Sequence, residues 1–468
     1  MQATENGLRG LGGAMFGNVD LGDRRRSKRL VTVFEQIRRH PGGTLPDKLK
    51  SPADLKALYR LCASPAVTHR RILDAVRRHT QAQFDGHPGP ILILHDGTEL
   101  DYTGIVSLAE DLGQIGSGWG RGYICHNSLA VDAGSREILG LTNQLLHCRD
   151  DIPENETLPQ SRARESRESL LWLRGTEGLP GDWRLVDICD QAADTFEFLE
   201  HESRSGRRFV IRSKAQRCVY LGHEPRGKRQ PLNQQVGGLT RLGNRTLEVQ
   251  SQKGDTCRRA RTAQLQVSAG AVLVPRPHAR FGNYEGHPLR LWAVRVFELK
   301  PPRGEDPIEW VLWTNQPALT LEDALRVIGW YETRWVIEEF HKAMKTGCGV
   351  ESLQFTATGR LEPMIGILSA VATTLLNLRT ASRREDAATR PASDVVSVEY
   401  VRVLSGWRYG HVRDDLTIWD FFYALARLGG HQNRKHDKQP GWLVLWRGWT
   451  TLQAMLDGAD AIRRKKCG

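Results

Sequence analysis

The chain has 468 residues, of which 40% are hydrophobic and 26% charged. This composition excludes wholesale disorder and leaves room for two to four domains with sizeable cores. Lys and Arg outnumber Asp and Glu by 66 to 54, a net charge of +12, which favours a polyanionic partner because cations displace the counterions of phosphates. The first residues lack the basic start and apolar run of a secretory signal, and no run approaches 18 uninterrupted apolar residues. A cytoplasmic protein with no membrane span is therefore expected. Eight cysteines are scattered without a Cys-x-x-Cys pair, the pattern of reduced thiols rather than of disulfides or a zinc site.

Taken in chain order, residues 1–75 read as helical and basic. Arg25, Arg26, Lys28 and Arg29 precede Leu30, Val33 and Phe34, and a second helical stretch runs from Ser51 past Leu58 and Leu61. Residues 90–94 form a continuous apolar run behind a Pro-Gly signal and predict a buried strand that ends ahead of Asp96. Strand patterns follow at 123–131, 138–146, 184–189 and 208–212, with helical patterns at 153–175 and 191–203. This alternation predicts a mixed α/β sheet. Residues 215–310, punctuated by Gly, Pro and Arg, read as a β-rich insertion. A long helix is expected after Pro317, opened by a capping box of Thr320 and Asp323 and stopped at Gly347 and Gly349. Helical stretches at 361–383 and 441–464 then flank a polar, Arg-rich middle. The expected division is a helical N-terminal domain (1–75), an α/β domain (76–360) and a mainly helical C-terminal domain (361–468).

The chemistry-bearing residues gather in two places. On a continuous helix, Tyr331, Arg334, Glu338 and Lys345 fall on one stripe roughly 60° wide, flanked by Trp335 and Lys342. Ile337, Phe340 and Met344 point the other way. The plain alternative is a solvated amphipathic helix with i,i+4 pairs such as Glu338 and Lys342. Asp96 and Asp190 each follow a predicted strand, and ligand sites in open α/β sheets collect at the carboxyl ends of strands. An aspartate there is also a common turn or cap residue. If the two strands are neighbours, both aspartates enter one cleft, where a hard divalent ion would offset their repulsion.

The spacing Tyr-x2-Arg-x3-Glu-x6-Lys, realised as Tyr331, Arg334, Glu338 and Lys345, resembles the signature of DDE transposases of the insertion sequence four group. Further blocks at 21–31, 189–194, 208–214, 301–304 and 446–456 resemble the same family in the same order. This chain has Gln191 and Ala192 where the family carries Arg-Glu, and the His95-to-Thr98 context of the first aspartate is also a variant.

The resemblance implies an RNase H-like catalytic core, a mixed five-stranded sheet with helices, carrying the β-rich insertion between helical N- and C-terminal domains. It implies a cut-and-paste enzyme with two Mg²⁺ ions, replaceable by Mn²⁺, held by Asp96, Asp190 and Glu338. Arg334 and Lys345 would clamp phosphates, Arg334 with its bidentate fork. Tyr331 would reach a terminal phosphate, and Lys342, Arg212 and Lys214 would follow the DNA backbone. Trp310 is the candidate for stacking a displaced base, with core packing as its alternative. Arg25, Arg26, Arg29 and Arg60 would bind the transposon end. The expected partners are double-stranded DNA, as terminal repeats and as target, and a second copy of the chain in a synaptic homodimer within the bacterial cytoplasm and nucleoid. The rival readings are a relative that binds ends without cutting and an RNase H-like nuclease that performs no joining step.

Overall fold

The computed structural model describes residues 10–150, 155–214, 216–225, 227–249, 251, 258–278, 286–434, 437 and 439–465. Among these residues twelve strands form one sheet: β1 (Ile91–Asp101), β2 (Gly113–Gln114), β3 (Arg121–Asp132), β4 (Ile138–His147), β5 (Leu185–Cys189), β6 (Arg208–Arg212), β7 (Cys218–Leu221), β8 (Gln230–Pro231), β9 (Thr240–Val249), β10 (Arg261–Val274), β11 (Leu289–Glu298) and β12 (Glu309–Thr314). One half runs in the order β4-β3-β1-β5-β6. There β3 is antiparallel to β1 and β4, whereas β5 is parallel to β1 and β6. The expected mixed α/β sheet is present.

Two features depart from the expected strands. β1 does not stop at Leu94 but runs to Asp101, because β3 pairs with it from Ile91↔Asp132 to Asp101↔Gly122. Asp96 and Gly97 have the look of turn residues, yet a full partner ladder keeps them extended. The 215–310 stretch is not a separate layer. β12 pairs antiparallel with β6, and β11, β10, β7 and β8 prolong the same sheet, so the edge of β6 is covered rather than left with unpaired backbone groups.

Period-2 alternation sorts the sheet into two faces. On β1 and β5, Leu92, Leu94, Val186 and Ile188 enter the main core, whereas Ile91, Ile93 and Leu185 enter a smaller cluster. Helices Arg24–Arg39, His69–Gln81 and Thr358–Ala381 contribute Leu30, Phe34, Ile72, Val76, Leu361 and Leu368 to the main core. The boundaries expected at 75 and 361 fall inside two of these helices, both of which pack on β4. Thr358–Ala381 is long and apolar enough to cross a membrane by length and composition, and 82% of its apolar window is buried inside the protein. It is thus a core helix, at the place where the helical stretch 361–383 is expected.

The long helix expected after Pro317 starts as its capping box requires. Thr320 N donates to Asp323 Oδ2 at 3.1 Å and Asp323 N donates to Thr320 Oγ1 at 3.2 Å. It is not continuous, however. Leu321–Glu332 ends in a tight turn in which Thr333 N bonds Trp330 O and Arg334 N bonds Tyr331 O. Thr333 Oγ1 also donates back to Gly329 O at 3.0 Å, a bond that bends helices. A second helix, Trp335–Lys342, follows and closes in a π turn, Ala343–Gly347. The expected stripe is therefore shared between two helices.

Elsewhere the pattern at 153–175 becomes short pieces, Leu158–Ala163, Glu168–Leu170 and Leu171–Gly175, with residues 151–154 outside the described set. The Arg-rich middle of the C-terminal part also folds. Val398–Tyr409 and Ile418–Leu428 pack with Trp442–Lys465 around Leu404, Phe421, Leu425 and Leu452. The six described cysteines are all free thiols, while Cys257 and Cys467 lie outside the described residues.

Gly140 on β4 has φ +144°, and a Cβ there would run into the Thr80 hydroxyl of His69–Gln81. Gly140→Ala is accordingly expected to cost more than about 1 kcal/mol, read as a lower thermal midpoint by circular dichroism.

Candidate functional site

The β1–β5 pairing sets the site. The register runs in parallel from Ile91↔Leu185 to His95↔Cys189. The next residues on the two strands are Asp96 and Asp190, and both follow the Leu94/Ile188 side of the alternation, facing the helices of the main core. Asp190 Oδ1 accepts from Ala192 N at 2.9 Å, capping the turn Gln191–Ala193 that ends the strand. Glu338 arrives from the opposite side on Trp335–Lys342, whose inner residues Ile337 and Phe340 are buried.

Arg334 ties the group together. Its Nη1 donates to Asp96 Oδ2 at 2.8 Å and its Nη2 to Glu338 Oε1 at 2.9 Å. Burial pushes Asp96 up to about 6; Arg334 opposes the shift, and Asp190 and Glu338 add to it. The three carboxylates thus form one electrostatic unit with a bridging guanidinium. Among the described residues no group of three or more His, Cys, Asp or Glu side chains is drawn together closely enough to hold a metal ion. The donors themselves are all oxygen, the type hard divalent cations prefer.

Tyr331, at the end of the preceding helix, is buried. Its ring stands edge-on to Trp310 at 5.9 Å. Burial raises its hydroxyl, while Arg334 and a hydrogen bond with Arg212 act the other way. Trp310 is half-buried against the main core, so packing accounts for part of its environment. Lys345 lies on the π turn, its Nζ 3.0 Å from Glu351 Oε1, which also accepts from Asp101 N at 3.1 Å. Lys342 and Lys214 are exposed. The structure therefore gathers Asp96, Asp190, Glu338, Arg334, Tyr331, Arg212 and Trp310 around one site, with Lys345 by the far end of β1.

The sequence reading did not single out the groups that hold the Glu338 helix in place. Asn127 on β3, opposite Asp96 in register, presents Nδ2 3.1 Å from His341 Nε2 and accepts from Gln144 Nε2 at 2.7 Å. Gln144 Nε2 also reaches Ser369 Oγ at 2.9 Å, and Gln144 Oε1 lies 3.0 Å from His69 Nε2. Burial holds His341 down to about 3 and His69 to about 4, so both are neutral partners at physiological pH. The available signal is a polar run in the middle of each strand, His126 to Ser128 on β3 and Thr142 to Gln144 on β4, between apolar neighbours.

The N-terminal candidates divide into two kinds. Arg26 donates to Leu21 O at 2.8 Å, and Arg29 pairs with Asp54 at 2.7 Å. Arg25 is 91% exposed beside Asp23, and Arg60 is also exposed. Arg24, Lys28 and Lys56 join them on the exposed surface.

Residues 14–67 match the family model for transposase DNA-binding. The match covers the candidates Arg25, Arg26, Arg29 and Arg60 and the helices Arg24–Arg39 and Pro52–Cys62. It supports a transposase with DNA as its partner.

Asp96 holds its proton more tightly in the folded chain than the usual carboxylate value of about 3.9. The folded state then binds more protons than the unfolded state between pH about 4 and about 6, so stability falls as pH rises through that window. Asp96→Asn is expected to raise the thermal midpoint of the metal-free protein at pH 7.5. The gain should vanish below pH about 4, as followed by differential scanning fluorimetry across a pH series.

Proposed function

We propose that this chain is a cut-and-paste DNA transposase of the DDE type, of the insertion sequence four group and similar to the transposase of bacterial transposon five. The observation that carries the reading is the placing of Asp190 beside Asp96 by the β1–β5 register, with Arg334 joining Asp96 to Glu338 at 2.8 and 2.9 Å, in a chain whose residues 14–67 match a transposase DNA-binding family. The β4-β3-β1-β5-β6 order, with one aspartate on the central strand and the other on its parallel neighbour, supports an RNase H-like core.

Asp96, Asp190 and Glu338 would hold two Mg²⁺ ions, with Mn²⁺ as substitute, an assignment supported by their all-oxygen donor set. Bound there, such ions would activate a water or a DNA 3′-hydroxyl and would stabilise the leaving oxygen. The chain's own groups do the rest. Arg25 and Arg60, with the neighbouring exposed cations, grip the transposon end through its phosphates. Arg334, free to exchange its carboxylate partners for a phosphate, clamps the backbone next to the scissile position. Arg212, Lys214, Lys342 and Lys345 extend that track, and Tyr331 offers its hydroxyl to a terminal phosphate. The Trp310–Tyr331 pair is the platform for a base displaced as the end distorts toward a hairpin. Hydrolysis, hairpin formation and joining of the 3′-hydroxyl to target DNA would then proceed in a homodimer.

A second reading, an end-binding protein without cleavage, is favoured by one observation: Arg334 lies across Asp96 and Glu338. One assay separates the two readings. Incubated with the terminal repeats that flank its gene, the wild-type protein is expected to nick at the repeat boundary in Mg²⁺ and not in chelator. Glu338→Gln should bind the same ends in a gel shift within about twofold of wild type and give no nick, because Glu338 is asked to hold metal while the cations hold DNA. End binding by the wild type without cleavage in Mg²⁺ or Mn²⁺ would establish the second reading. Arg60→Ala should weaken binding to all DNA sequences alike and reduce the salt slope by about one unit.

A further inference from the structure

On the face of the sheet opposite the carboxylates lies a buried chain of polar groups that touches neither DNA-facing cations nor solvent. Ser128 Oγ on β3 donates to Gly175 O at 3.0 Å and lies 3.0 Å from His95 Nδ1 on β1. His95 Nε2 lies 2.8 Å from Asp187 Oδ1 on β5. Arg207, the residue before β6, donates from Nε to Asp187 Oδ2 at 2.7 Å and from Nη2 to Glu202 Oε1 at 2.9 Å. Ser128, His95, Asp187 and Glu202 are fully buried and Arg207 is 5% exposed. Ser128, His95 and Asp187 have the residue types of a hydrolytic triad, but no substrate can reach a hydroxyl so enclosed.

Burying these charges is costly, and an apolar set of the same volume would stabilise the fold at least as well. Their value lies in register. The aliphatic residues of β1 and β5 are nearly interchangeable, Leu92 and Leu94 facing one way with Val186 and Ile188. A slip of one residue is forbidden because it would turn each side chain to the wrong face. A slip of two would keep the aliphatic residues on their own face, yet carry Asp190 about 7 Å along the strand from Asp96. A slip that set Asp187 level with Ile91 would tear it from His95, and the opposite slip would draw it along the strand away from Arg207 beside β6. The polar chain is what distinguishes the native register from that neighbour.

We propose that Asp187 is a positioning residue for the carboxylate site: held between His95 and Arg207, it fixes β5 against β1 so that Asp190 stands beside Asp96, and thereby sets the affinity for a divalent cation. The proposal rests on the metal-dependent reading above. Removing a partner hydrogen-bonded directly to a metal ligand lowers metal affinity by about 10- to 100-fold; Asp187 acts through the strand instead, so the lower end, about tenfold, is expected here.

The test uses the full chain and Mn²⁺ as probe, with free Mn²⁺ counted by electron paramagnetic resonance, alongside thermal unfolding and a gel shift on end DNA in Ca²⁺. Asp187→Asn is expected to weaken Mn²⁺ binding by about tenfold while end binding stays within twofold of wild type. A purely structural role would lower the melting midpoint and leave the Mn²⁺ affinity of the folded protein unchanged, and that result overturns the proposal. If Asp187→Asn does not fold, Ser128→Ala, at the far end of the chain, carries the test, with about a threefold loss expected and no change overturning it. Absence of saturable Mn²⁺ binding by the wild type would overturn the functional reading and this inference with it. Wild-type binding that the variants leave untouched would overturn this inference alone.

Discussion

Two carboxylates on adjacent parallel strands repel one another, and the fold holds them together regardless. The constraint that makes this possible is the β1–β5 ladder, five residue pairs long, in which backbone hydrogen bonds and aliphatic packing bear the load. β1 is flanked on its other side by eleven paired residues of β3, so the strand that carries Asp96 is fixed on both edges. Glu338 and Arg334 come from a helix resting on that same sheet. Everything that can move at the site is a side chain or the helix, whereas the two aspartates are fixed by the strands.

The second consequence of this arrangement is that the helices of the N-terminal region and the carboxylate site share one core. Phe34 of Arg24–Arg39, Val76 of His69–Gln81, Leu94 of β1 and Phe340 beside Glu338 belong to a single buried cluster. The hydrogen-bonded group of His69, Gln144, Asn127, Ser369 and His341 runs through it. The offset between the N-terminal helices and the carboxylates is therefore set by packing rather than by a linker. The C-terminal helix adds to it: Lys50 pairs with Asp457 at 2.7 Å and Gln453 bonds Arg39 O.

Much of this was legible before any coordinates. The apolar runs at 90–94 and 184–189 identify the two strands behind the aspartates, and the capping box at Thr320 gives the start of the helical segment, because each signal is local. What was not legible depends on partners distant in sequence. β1 continues past Asp96 because β3 is there to pair with it, which no window around Gly97 reveals. The 215–310 stretch looked like an insertion because its strands are separated by Gly and Pro, while its attachment to β6 through β12 is a tertiary fact. Asp187 stood in plain view as a charge inside the run Leu185 to Cys189, but its meaning required His95 and Arg207 beside it. The carboxylates themselves were nominated by residue type, spacing and resemblance; periodicity overreached where it treated 321–347 as one helix.

The interruption at Thr333 and Arg334 changes how the distance between Tyr331 and Glu338 should be understood. Along an unbroken helix those seven residues would be a ruler with fixed pitch, and any added residue would rotate the glutamate by about 100° and advance it about 1.5 Å. Here the tight turn divides the ruler into two short arms, one aligned with Trp310 and Arg212, the other with Asp96. Each arm takes its bearing from the sheet beneath it. The segment is therefore jointed rather than a single rod, with Tyr331 on one arm and Glu338 on the other.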